Sequence, residues 1–125
     1  MQRDTDLIRE LLISIAEDRR LNGQNWIAPD QRDDFGIIGK GKHSVDEVAY
    51  HLALLIEAGF VIGKTTMEMP IVSRLTWSGH EYLDNIRDQG IWHKTKERLG
   101  DLPSVSIGIV AEIAKAEIKK RLGLP

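Results

Sequence analysis

The chain has 125 residues, 42% of them hydrophobic, and a formal net charge of -2. That length suits one domain able to bury a core unaided, and the absence of cysteine excludes disulfides, thiolate zinc sites and cysteine nucleophiles. The N-terminus is charged from Arg3 onward and no apolar run approaches the roughly 20 residues of a spanning helix, so a soluble, cytoplasmic protein is expected.

Asp4 to about Asp18 reads as the first helix. Leu7, Ile8, Leu11, Leu12 and Ile15 form one apolar stripe, and Asp4 stands where an N-cap is needed. From Arg19 to His43 the periodicity disappears into turn-rich sequence, with room for one or two short strands around Trp26–Ile27 and Phe35–Ile38. Ser44 and Glu47 make an S-x-x-E capping box for a helix whose inner stripe is Val45, Val48, Ala49, Leu52, Leu55 and Ile56, and Gly59 stops it. Phe60–Thr66 and Ile71–Trp77 read as two strands around a Met67-Glu68-Met69-Pro70 turn. Ser78 and Glu81 form a second S-x-x-E box, opening a helix that buries Tyr82, Leu83 and Ile86. Gly90 predicts a kink or break. Helical character then resumes to Gly100, and Asp101, Pro103 and Ser104 signal a last helix reaching about Leu122.

Helix, glycine stop, hairpin and second capped helix together give the layout of an α+β winged helix-turn-helix domain with a two-stranded wing. On this reading residues 1–100 form the domain, and 101–125 form a C-terminal helical extension that packs on it. The extension is apolar over more than one stripe, which points to a homodimer through Ile109, Ile113 and Ala116. No good helix is legible just before Ser44, where a helix-turn-helix normally has one.

Four separated motifs, R-D-x-D-L-I-R at 3–9, A-Y-H-L-A-L-L-I-E-A-G-F at 49–60, R-L-T-W-S-G-H-E-Y-L-D at 74–84 and I-R-D-Q-G-I-W-H-K-T-K at 86–96, resemble a bacterial family classed as a domain of unknown function and often encoded in phages and prophages. The middle portion more loosely resembles the winged-helix repressor superfamily. The resemblance implies a winged-helix fold and brings no catalytic residues with it. The irregular 19–43 segment departs from the repressor pattern.

Charge divides the chain. Residues 1–43 carry seven Lys/Arg against eight Asp/Glu, 44–88 three against seven, and 89–125 seven against four. The segment that looks like a DNA-binding unit is therefore the acidic one. The outward face of the helix in the recognition-helix position offers Asp46, Glu47, Tyr50, His51, Leu54 and Glu57, without Arg or Lys. Two partner classes follow. If the partner is DNA, Lys40, Lys42, Lys64 and Arg74 are the phosphate contacts. If it is a protein, Tyr50, His51 and Leu54 with the wing-tip Met67 and Met69 are the contact surface. Trp77 and Trp92 are expected to fill core corners. The four histidines show no H-x-x-x-H or H-E-x-x-H spacing, and no G-x-S-x-G or paired-carboxylate pattern is present. Neither a metal, a cofactor nor an enzymatic activity is expected.

Overall fold

The computed structural model describes residues 1–29, 43–102 and 105–125. Its elements run α1 (Thr5–Glu17), α2 (Val45–Glu57), β1 (Val61–Lys64), β2 (Ile71–Leu75), α3 (Trp77–Ile86), α4 (Gln89–Leu99) and α5 (Ile107–Leu122), an α+β arrangement. They form two compact units, Met1–His80 and Glu81–Pro125, with the boundary inside α3. Among the described residues, no helix is long and apolar enough to cross a membrane.

The first unit grows from two well-capped helices. The Asp4 side chain accepts from the Asp6 and Leu7 N–H groups, and the five-residue stripe Leu7, Ile8, Leu11, Leu12, Ile15 is buried as its spacing predicts. Each such side chain contributes about 1.5–3 kcal/mol when removed from water. Ser44 and Glu47 form the reciprocal capping box of α2. At its other end Gly59, at φ 79°, carries the chain through the left-handed region; Phe60 N–H reaches Leu55 O and Gly59 N–H reaches Ile56 O. These two bonds satisfy carbonyls that the helix end would otherwise leave open.

The inward face of α2 is rotated from the expected stripe. Val48, Leu52 and Leu55 are buried, but Val45 is exposed and His51 takes an inward position at 1% exposure. β1 and β2 pair antiparallel, with Val61 opposite Leu75 and Ile62 opposite Arg74. The register then shifts, so that Gly63 faces Val72. This bulge leaves Val72 and Ser73 both buried while Arg74 points outward. Ile27 adds a bridge to the free side of β2, exchanging bonds of 2.9 and 2.8 Å with Val72. The strand order is thus Ile27, β2, β1. The helix that a helix-turn-helix places before α2 would fall in residues 30–42, outside the described residues, as does the expected strand around Phe35–Ile38.

The start of α3 differs from the expected Ser78 box. Thr76 is the cap: its hydroxyl accepts from Gly79 N–H at 3.0 Å and donates to Gly59 O. Thr76 N–H also donates to Phe60 O. Gly79 is held against the same strand start, where an added Cβ would lie 2.1 Å from Phe60 O. The tertiary anchor, rather than the local S-x-x-E pattern, sets the boundary.

In the second unit Tyr82, Leu83 and Ile86 are buried. The break before α4 lies at Arg87–Asp88 and not at Gly90. Asp88 caps α4 through Ile91 N–H, and Gly90 falls in the first turn. α5 groups with α4 in this unit, burying Ile91, Trp92 and Thr95 on one helix and Val110, Ala114 and Glu117 on the other. Ser106 is the cap of α5, later than the expected start signals, of which Pro103 and Ser104 lie outside the described residues. The buried Glu117 carboxylate meets Arg98 at 3.3 Å and Lys120 at 3.8 Å.

Candidate interaction surfaces

Among the α2 residues expected to contact a protein partner, Tyr50 is exposed, Leu54 is partly exposed and His51 is not available at all. The His51 ring is a buried connector. Asp4 N–H donates to its Nε2 at 2.8 Å, and its Nδ1 lies 2.8 Å from Glu47 O. An amide can only donate and a carbonyl can only accept, so the ring is neutral with its proton on Nδ1. His51 therefore joins the N-cap of α1 to the first turn of α2 and cannot read a partner. Tyr50 lies edge-on to it, with ring centroids 5.7 Å apart.

The outward stripe of α2 is then Asp46, Tyr50 and Glu57 with the partly covered Glu47, Ala53 and Leu54. Glu47 accepts from Ser44 N–H and meets His43 Nδ1 at 3.3 Å; the His43 contact, followed by the Ser44 N–H, holds its carboxyl below the ordinary value. The face is acidic and apolar, without a cation.

The hairpin separates the residues assigned to it. Met67 is fully exposed, but Met69 is buried at 8% beside a buried Pro70. Thr66 closes the turn by donating to Met69 O and accepting from Glu68 N–H, which turns Met69 inward and removes it from the expected contact surface. Lys64 and Arg74 are both exposed. The Lys64 ammonium sits 5.5 Å from the centre of the Trp26 ring. Arg74 donates through Nη1 to Leu75 O, and an added Cβ at Gly23 would lie 3.1 Å from its Cδ. Lys40 and Lys42 lie outside the described residues.

Trp77 is the aromatic that the sequence reading misplaced. It is 80% exposed, whereas Trp92 is buried as expected. Because Thr76 caps α3, Trp77 occupies the first turn on the side away from Gly79, which abuts the Phe60 backbone. His80, one turn on, shares its face. Both line a cleft of 370 Å³ whose other walls are Ile15, Ala16, Leu21, Asn22, Arg74 and Leu75. No sequence motif marked this cleft. The signal in retrospect is T-x-x-G at 76–79, which competes with the S-x-x-E box two residues later.

On α5, Ile109 is 51% exposed, while Ile113 and Ala116 are half-buried. Among the described residues no three His, Asp or Glu side chains converge as metal ligands.

A protein of Haemophilus influenzae described as uncharacterized is similar over nearly its whole length, with 29% identity over 127 residues, spanning 98% of this chain and 99% of the relative. No solved structure matches the chain. The family model described as "Hypothetical protein (DUF2513)" matches residues 2–106, and the chain belongs to that family.

Proposed function

We propose that this chain is a winged-helix domain that engages another protein, with the outward face of α2 and the exposed tip of the hairpin as its contact surface. The order α1, Ile27 bridge, α2, β1, β2, with the Ile27 segment pairing to β2, supports the winged-helix reading. The observation that carries the protein-binding reading is the composition of α2. In a winged helix that reads duplex DNA this helix enters the major groove, where Arg, Lys, Asn and Gln read bases amid phosphate contacts. Here Asp46, Glu47 and Glu57 surround Tyr50 and Leu54, and the helix contains no Arg, Lys, Asn or Gln. Aromatic and aliphatic side chains within a polar rim suit a protein interface. The function is binding rather than catalysis, in the setting of a phage or prophage accessory protein.

The test is capture from host extract by the purified chain, compared with Tyr50→Ala and Leu54→Arg variants of unchanged circular dichroism. Loss of a captured protein in both variants supports the surface; equal capture by both refutes it.

A second reading, duplex DNA binding in a regulatory role, is favoured by one feature. Lys64 and Arg74 are both exposed on the hairpin, where phosphates would lie beside a docked α2. With Lys40 and Lys42 they would form the phosphate contacts, and each lost contact would lower the salt slope of binding by roughly one. Self-association through α5 is part of the same proposal, with Ile109 as the most exposed apolar side chain of the three assigned to it. A monomer mass at high concentration, or an Ile109→Glu chain with the association state of the parent, refutes the dimer.

A further inference from the structure

We propose that the cleft beside Trp77 is a second docking site, which takes a short segment of a partner protein presenting one apolar side chain flanked by carboxylates. This rests on the protein-binding reading but concerns a surface different from α2. The cleft has an apolar floor of Ile15, Leu21 and Leu75, each nearly inaccessible to water, and a rim of Asn22, Arg74, Trp77 and His80. The rim carries the Arg74 guanidinium with the Asn22 amide, the Trp77 indole N–H and the His80 ring, and no carboxylate lines the cleft among the described residues. In a chain of net charge -2, the Arg74 charge faces no carboxylate among the described lining residues, and the ligand it complements is anionic. The volume of 370 Å³ is near the lower end of the roughly 300–1,000 Å³ range of ligand clefts, enough for a few side-chain groups and not for a folded surface.

The rim is preorganised. Trp77 stands at the start of a helix fixed by the Thr76 hydroxyl and by the close approach of Gly79 to Phe60 O, so its ring is presented without a loop to order. Arg74 is turned outward by the β-bulge and braced by Leu75 O. A fixed, exposed tryptophan beside an arginine over an aliphatic floor has the composition of an interface hot spot. A single-stranded nucleic acid fits less well, because it needs a row of cations tracking its backbone and Arg74 is the one Lys or Arg among the described lining residues.

The test uses the full chain and synthetic pentapeptides Asp-Glu-X-Asp-Glu with X as Phe, Leu or Ala, their Lys-substituted counterparts, and a ten-nucleotide oligothymidylate. Binding is followed by nuclear magnetic resonance at the indole N–H signals. The expected result is saturable movement of the Trp77 signal by the Phe and Leu peptides, at least tenfold weaker affinity for the Ala and Lys peptides, and at least tenfold weakening by Trp77→Ala and by Arg74→Gln. Ser78→Ala, exposed and outside the cleft, binds as the parent does. Absence of any Trp77 shift at millimolar peptide, equal affinity for Lys peptides, preference for the oligothymidylate, or unchanged binding by Trp77→Ala overturns the proposal. If the peptides fail while Tyr50→Ala still abolishes partner capture, the cleft is refuted and the α2 reading stands.

Discussion

Replacing His51 with leucine isolates the buried hydrogen bond that joins α2 to the start of α1. Leucine keeps an apolar side chain in the site and removes the Nε2 acceptor, so Asp4 N–H loses its partner at a half-buried position. Glu47 O is at the i-4 position of the helix ladder and keeps its backbone bond, so a single donor is orphaned. Leaving a buried donor unsatisfied costs about 1–3 kcal/mol, and partial exposure of Asp4 places the expected loss at about 1–2 kcal/mol. His51→Ala adds a cavity and should cost about 2–4 kcal/mol. Because Gln can offer an oxygen, His51→Gln should recover part of the loss. Urea unfolding followed by circular dichroism measures it: the leucine variant should shift the midpoint down by about 0.5–1 M with an unchanged slope. Faster exchange of the Asp4 amide should accompany the shift. A leucine variant as stable as the parent would refute the connector role and return His51 to the status of an ordinary packed side chain.

Three further expectations concern the anchoring of α3 and the helix caps. Thr76→Val should cost about 1–2 kcal/mol by removing the cap, whereas Ser78→Ala should be within about 0.5 kcal/mol of the parent in the same unfolding assay; the opposite ranking would restore the S-x-x-E box. Gly79→Ala drives a methyl into the Phe60 carbonyl and should cost about 3 kcal/mol, read as a fall in the thermal midpoint. Near-parental stability would show that α3 moves away freely. The third concerns acid. Asp18, Glu47 and Asp88 all have carboxyls held below their ordinary values, by Arg20, by His43, and by Ile91 N–H with Arg121 respectively. A lowered folded value gives stability that is present above the unfolded value and lost as pH falls through the folded one. Asp88→Asn keeps a capping side chain without the charge, so its stability deficit should be widest above the ordinary aspartate value and close as pH falls through the lowered folded one. A deficit independent of pH would contradict this.

What the sequence made legible was local. The Asp4 cap, the Ser44–Glu47 box, the Gly59 stop and the stripe on α1 each lie within a few residues of what they control, and each is found where its spacing placed it. The misreadings share a different cause. His51 is expected on the outward face of α2, yet it is buried and accepts from the N–H of Asp4, 47 residues away. In T-W-S-G-H-E two start signals overlap, and the choice falls to Thr76 because its hydroxyl also reaches Gly59 O across the hairpin. Trp77, expected in a core corner, stands exposed in the first turn of α3 and lines the cleft beside it. Met69 turned inward for an equally specific reason, the Thr66 hydroxyl bonding to its carbonyl. The acidity of α2, by contrast, needed only composition, and it weighs most on the functional reading.

The most direct test of that reading is a titration of labelled duplex DNA, both random and from the gene's own upstream region, with the purified chain at low and moderate salt. A protein-binding winged helix with the face Asp46, Tyr50, Leu54, Glu57 should show no complex tighter than the ~1–100 μM of non-specific association at physiological salt, and no preference for the upstream duplex at either salt. Tight, salt-sensitive binding that prefers the upstream duplex and weakens on Lys64→Glu or Arg74→Glu would contradict the account and make this chain a DNA-binding regulator.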